Sequence, residues 1–151
     1  MSAERFEELV VSLCETVGLL DSATALERRC IEVDGFEIQL GHYDNDPEAM
    51  YLNFNFGIVT TGRTLRVMQL MLESNLTVYA QDQAQLGMNP DTGGVLLIVR
   101  MPMAEDTDAE SLAGTLEHYS EHGRYWRDNL VGAHDDQFNG LCDGHYSWMR
   151  A

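Results

Sequence analysis

Asp91-Thr92-Gly93 is the stretch of this chain whose residue types most directly suggest chemistry. In dimeric aspartic proteases each subunit supplies an Asp-Thr-Gly loop, and the two close carboxylates share a proton because both cannot ionise easily. Such a loop follows an apolar strand. Here Met88-Asn89-Pro90 precedes it and the apolar run comes after, which is the order of a plain hairpin turn. A second group, His134, Asp135, Asp136, Cys142, Asp143 and His145, gathers zinc-capable side chains, but at irregular spacing in a polar stretch. His118 and His122 stand one helical turn apart without the glutamate-containing surroundings of a zinc protease, and read as a solvated helix face. The sequence holds no Gly-x-Ser-x-Gly elbow, no phosphate-binding glycine loop and no lysine for a Schiff base. The expectation is a non-enzyme with no catalytic residues, no cofactor and no bound metal.

Charge narrows the partners. Against 25 acidic residues stand nine arginines, a formal net charge of −16 that repels phosphate backbones and anionic membrane surfaces. Nucleic acid and membrane are therefore not expected partners, whereas basic protein segments are favoured. The chain has 151 residues, 44% apolar and 23% charged, which suits one folded domain with a real core. Cys14, Cys30 and Cys142 are odd in number and widely spaced, which suggests neither a disulfide framework nor a zinc ribbon and fits a reducing cytosol. Glu4, Glu7 and Glu8 stand where a signal peptide would need a basic start, so the chain reads as cytoplasmic.

The elements follow from periodicity. Phe6, Leu9, Val10, Leu13 and Val17 recur at helical intervals between a capping Ser2 and a stopping Gly18. Residues 19–28 show no clear period. Residues 30–43 read as two strands joined at Asp34-Gly35, residues 44–48 as a turn, and residues 50–58 as a strand alternating Met50, Leu52, Phe54, Phe56 and Ile58 with polar positions. Residues 76–80 read as a strand, and 81–88 either as its continuation or as a looser pairing. Asn89 to Gly94 form a turn, and Val95 to Met101 read as a central strand buried on both faces. Thr107 and Glu110 match a capping box opening a helix that runs to about Leu130. The resulting fold class is α+β, helices packed on a twisted, mostly antiparallel sheet in the order α-β-β-β-α-β-β-(β)-α, with a body over residues 1–131 and a C-terminal tail over 132–151.

One helix has more apolar surface than a single core can use. Over residues 57–75, Thr60 or Thr61 can cap the start and Asn75, in the left-handed conformation, the end. Placed at about 100° per residue, Leu65, Val67, Met68, Leu70, Met71 and Leu72 fill roughly 220°, about twice what one core requires. Leu65, Met68, Gln69, Met71 and Leu72 are accordingly expected at a homodimer interface.

The stretches Met71-Leu72-Glu73-Ser74-Asn75-Leu76, Leu86-Gly87-Met88-Asn89-Pro90-Asp91-Thr92-Gly93-Gly94-Val95-Leu96-Leu97 and Arg100-Met101-Pro102-Met103 resemble the type III secretion chaperones of the Tir-chaperone class. The resemblance runs from about Glu4 to Leu130 and includes size and acidity. It implies a bacterial cytosolic homodimer without catalytic activity that holds the N-terminal segment of a secreted effector in extended form before export, with a secretion ATPase as a further partner. An acidic interaction domain of the same fold, unrelated to secretion, and the aspartic protease are the competing classes. Combined with strand alternation, the resemblance points to Val10, Leu13, Phe36, Ile38, Leu40, Leu52 and Phe54 as effector-binding candidates, each also a core candidate.

Overall fold

The computed structural model describes residues 2–131. Its strands form a five-stranded antiparallel sheet in the order β1-β2-β3-β5-β4, with four helices, as the α+β reading required. The described residues divide into two compact units, residues 2–54 with Arg100–Glu121, and Asn55–Val99 with residues 122–131.

In the first unit, helix α1 (Ser2–Val17) buries Phe6, Leu9, Val10 and Leu13, the stripe visible in the sequence. Helix α2 (Ser22–Arg28) follows where no period was evident. Seven residues are too few to show one, but its caps are local: the Asp21 carboxylate accepts from the Thr24 N–H at 3.0 Å, and Arg29, in the left-handed conformation at φ 53°, returns its N–H to Ala25 O. Strands β1 (Cys30–Val33) and β2 (Phe36–Tyr43) pair antiparallel across Asp34-Gly35, whose φ angles of 53° and 82° are those of the tight hairpin the dipeptide predicts. The next turn is shorter than expected. Strand β3 (Asp46–Ile58) already begins at Asp46 and carries Pro47 beside an irregularity between Gly41 and Tyr43, where a missing N–H is tolerated. Arg100 donates to the Asp46 carboxylate at 2.6 and 2.9 Å, and the Tyr51 hydroxyl donates to it at 2.6 Å, fixing Asp46 at the turn end of the hairpin.

In the second unit, helix α3 (Thr64–Ser74) departs from the sequence reading at both ends. Arg63 occupies the N-cap position without a side-chain cap, so neither Thr60 nor Thr61 serves there. Asn75 has right-handed angles, φ −58° and ψ −42°, and the chain continues as a π-helical turn (Asn75–Tyr79) and a 3-10 turn (Ala80–Asp82), not as the strand expected over residues 76–80. The left-handed residue that ends the run is Gln83, at φ 53°. Asn75 does other work: its side-chain amide accepts from the Leu86 N–H at 2.6 Å and donates to Leu86 O at 3.1 Å, holding strand β4 (Ala84–Met88) as a neighbouring strand would.

Strand β5 (Gly94–Pro102) lies next to the edge strand β4, and β3 is the middle strand. It is not buried on both faces. Val95, Leu97 and Val99 are buried, while Leu96, Ile98 and Arg100 are half-buried, so the continuous apolar run hides an ordinary alternation. Helix α4 (Ala109–Trp126) is capped one residue later than Thr107 would allow: the Asp108 carboxylate accepts from the Ser111 N–H at 2.8 Å and Ser111 Oγ accepts from the Asp108 N–H at 3.2 Å. Thr107 instead donates its hydroxyl to Pro102 O at 2.9 Å. A π-helical turn (Arg127–Val131) ends the described chain.

Candidate functional site

Helix α3 resolves its excess of apolar surface into two opposed stripes. Val67, Leu70, Met71 and Ser74 are buried, while Leu65, Met68, Leu72 and, one turn on, Leu76 are 73%, 44%, 70% and 80% exposed. At about 100° per residue the exposed four fall within roughly 80° of one another, on the side away from the buried four. Of the residues expected at a dimer interface, Leu65, Met68, Gln69 and Leu72 thus lie at the surface and Met71, 4% exposed, belongs to the core. Leu76 went unnoticed because a strand was expected there.

The seven residues singled out as effector-binding candidates occupy the interior. Val10, Leu13, Phe36, Ile38, Leu40, Leu52 and Phe54 are all 3% exposed or less, and Phe54 packs against Tyr119 with ring centroids 5.8 Å apart. None offers a surface to a partner in this state. Alternation in a strand names the inward face, and here that face is buried.

An open surface lies instead where periodicity was silent. The loop from Gly18 to Asp21, helix α2 and the edge strand β1 enclose a groove of about 780 Å³, with Leu19, Leu20, Ala25 and Ile31 supplying apolar walls and Glu32 and Glu37 an acidic rim. Leu20 is fully exposed at its mouth. Among the described residues no strand pairs with the outer edge of β1, so the outward-facing backbone groups of Cys30 and Glu32 are open to an added strand there. The opposite edge, at β4, is the one Asn75 covers at Leu86. Signals for the groove were present in Asp21-Ser22-Ala23-Thr24, an N-cap pattern, and in the two leucines of Gly18-Leu19-Leu20.

The residues considered for catalysis make a turn. Asn89 and Gly94 close the β4–β5 hairpin through their backbones, Asn89 Oδ1 accepts from the Asp91 N–H at 2.9 Å, and Thr92 Oγ1 accepts from the Gly94 N–H at 3.1 Å. Asp91 is exposed and its loop is held by local bonds. His122 is no solvated bystander: its Nδ1 is 2.8 Å from the Tyr79 hydroxyl, which also accepts from Trp126 Nε1 at 3.2 Å, and burial pushes the Tyr79 phenol up to about 12. Among the described residues no three metal-capable side chains cluster, and no helix is long and apolar enough to cross a membrane. His134, Asp135, Asp136, Cys142, Asp143 and His145, like the tail over 132–151, lie outside the described residues.

Comparison with known proteins agrees with this geometry. In fold the chain is similar to a chain of the ExsC-ExsE complex (TM-score 0.66, 18% identity, covering 87% of this chain and 97% of that one). It is also similar to a chain of the HopA1-SchA chaperone-effector complex (TM-score 0.62, 16% identity, covering 84% and 96%). A third match is a chain of the heterodimeric ExoU-SpcU complex from the type III secretion system of Pseudomonas aeruginosa (TM-score 0.57, 16% identity, covering 83% and 99%). No curated protein matches the chain in sequence. The sequence pattern of the Tir chaperone protein (CesT) family matches residues 35–127, well over half of the 151, and the chain belongs to that family.

Proposed function

We propose that the protein is a type III secretion chaperone: a non-catalytic homodimer of the bacterial cytoplasm that holds the N-terminal segment of a secreted effector extended until export. The observation that carries this reading is the open edge of β1 beside an apolar groove, in a chain of the Tir chaperone family. An extended peptide gains backbone hydrogen bonds from a free edge and specificity from side-chain pockets alongside it. The acidic rim and the net charge of −16 favour a client with basic residues, and one solved neighbour, HopA1-SchA, is a chaperone-effector complex.

The second half of the reading is the dimer. Two copies meeting on Leu65, Met68, Leu72 and Leu76 would remove from water eight side chains now 44–80% exposed, worth about 8–16 kcal/mol at about 1.5–3 kcal/mol for each full burial. That matches the cost of lost translational and rotational freedom, about 4–15 kcal/mol, so the stripe is adequate for association once polar contacts such as Gln69 join. Purification of the protein from its own host tests the reading as a whole: a secreted protein should accompany a dimer. A cleaved substrate would instead mark a protease, and no secreted companion would mark an interaction domain of other purpose.

A further inference from the structure

A second, smaller groove of about 390 Å³ continues from the first, sharing Arg28 and Gln39 with it, and runs along β2 past Gly41 and Tyr43. Its charge is the reverse of its surroundings. Arg28 and Arg29 line it and no carboxylate does, in a chain where acids outnumber arginines 25 to nine. Both residues are exposed. Arg29 lies over the Phe6 ring at 4.7 Å, a contact that leaves the edge of its guanidinium fork open, and Arg28 makes no ion pair among the described residues, though Asp21 senses its charge. The left-handed conformation of Arg29, which closes α2 and accepts the Leu40 N–H at 2.8 Å on its carbonyl, fixes the backbone from which both side chains project. The first groove, by contrast, is rimmed by Asp21, Glu32 and Glu37.

We propose that this second groove is a carboxylate subsite, taking an acidic side chain of the same extended client whose neighbouring residues lie along β1. The occupant is argued from charge complementarity and from continuity with the β1 groove, and its identity as a client peptide rests on the chaperone reading above. A guanidinium fork binds a carboxylate through two parallel hydrogen bonds, so adjacent arginines on a fixed backbone reward an acidic residue at one place along the peptide. The two grooves together then read a polarity, basic residues over the acidic rim and an acid over Arg28 and Arg29, which an overall acidic surface could not do.

The probe is a short synthetic peptide of alternating valine and threonine bearing one arginine and one glutamate, compared with the same peptide carrying glutamine for glutamate, each titrated into the full chain at low salt by NMR. The glutamate peptide should bind about threefold to tenfold tighter, moving the Arg28 and Arg29 Nε signals. In the Arg28→Gln/Arg29→Gln double variant the two peptides should bind alike; Arg28→Gln alone, which leaves the Arg29–Phe6 contact intact, should lose part of the preference. Equal binding by the parent, an unchanged preference in a folded double variant, or no saturable binding by either peptide overturns the subsite. Inorganic phosphate displacing the glutamate peptide at equal concentration would make the groove a general anion site and overturn the peptide assignment. These failures leave the chaperone reading standing, since co-purification of a secreted protein decides that separately. A glutamate preference without any secreted companion keeps the groove and removes the chaperone.

Discussion

Replacing Asn75 by alanine should loosen the edge of the sheet at β4. The side chain satisfies both backbone groups of Leu86, accepting at 2.6 Å and donating at 3.1 Å. At about 0.5–1.5 kcal/mol net for each hydrogen bond, their loss costs roughly 1–3 kcal/mol. For a chain of this size each kcal/mol lowers Tm by about 2–4 °C, so a drop of roughly 2–12 °C is expected. Urea unfolding gives the energy, and amide exchange gives the location, because the Leu86 N–H should lose protection while the Val95, Leu97 and Val99 amides, which point away from β4, keep theirs. An exposed strand edge also promotes association between chains, so the variant should aggregate sooner on warming. Asn75→Gly separates this role from that of a helix cap. A left-handed cap would make glycine neutral or stabilising, whereas the right-handed angles here, φ −58° and ψ −42°, predict that glycine is worse than alanine by about 0.5–1 kcal/mol. If Asn75→Ala leaves both the urea midpoint and the Leu86 exchange rate unchanged, or Asn75→Gly is the more stable of the two, the reasoning fails.

Three further outcomes are expected. Met68→Glu with Leu72→Glu should yield a folded monomer, since both side chains are outside the core; sedimentation as an unchanged dimer would move the interface elsewhere. Leu52→Ala should cost about 2–5 kcal/mol because the side chain is fully buried, and calorimetry showing less than about 1 kcal/mol would mean the site is not core. The Asp46 carboxyl, held down to about 2 by the Arg100 guanidinium and then by the Tyr51 hydroxyl, should titrate there in carbonyl NMR. A carboxyl depressed on folding stabilises above its unfolded pKa, near 4, and that contribution vanishes as pH falls through about 2. The stability gap between the parent and Arg100→Gln should therefore narrow between pH 4 and pH 2, and a gap that widens on acidification would contradict the pairing.

What could be read from the chain divides along physical lines. The α1 stripe, the Asp34-Gly35 hairpin and the alternation in β3 were legible because period and turn chemistry are local, and each is reproduced except at Ile58, which ends β3 64% exposed. The excess apolar arc of α3 was legible too, yet an arc does not say which half meets the protein's own core; Met71 went inside and Leu72 outside for reasons of packing. Asn75 misled because asparagine at a helix end usually closes it, and here its amide is used by β4, eleven residues on, an interaction that no local pattern encodes. The open groove escaped notice for a related reason. Its walls come from a loop, a two-turn helix and an edge strand, three pieces too short for periodicity, whereas the strong periodic signals marked Val10, Leu13, Phe36, Ile38, Leu40, Leu52 and Phe54, residues whose regularity serves burial.

Limited proteolysis of the complex purified from the native host, with the protected fragment identified by mass spectrometry, tests the central claim most directly. The companion should be a secreted protein whose N-terminal segment resists cleavage while bound, and Glu32→Pro, which removes an outward-facing N–H from the edge of β1, should release that segment from a chaperone that remains dimeric. Protection confined to a folded domain of the companion, or an N-terminal segment equally protected by the Glu32→Pro protein, would contradict it.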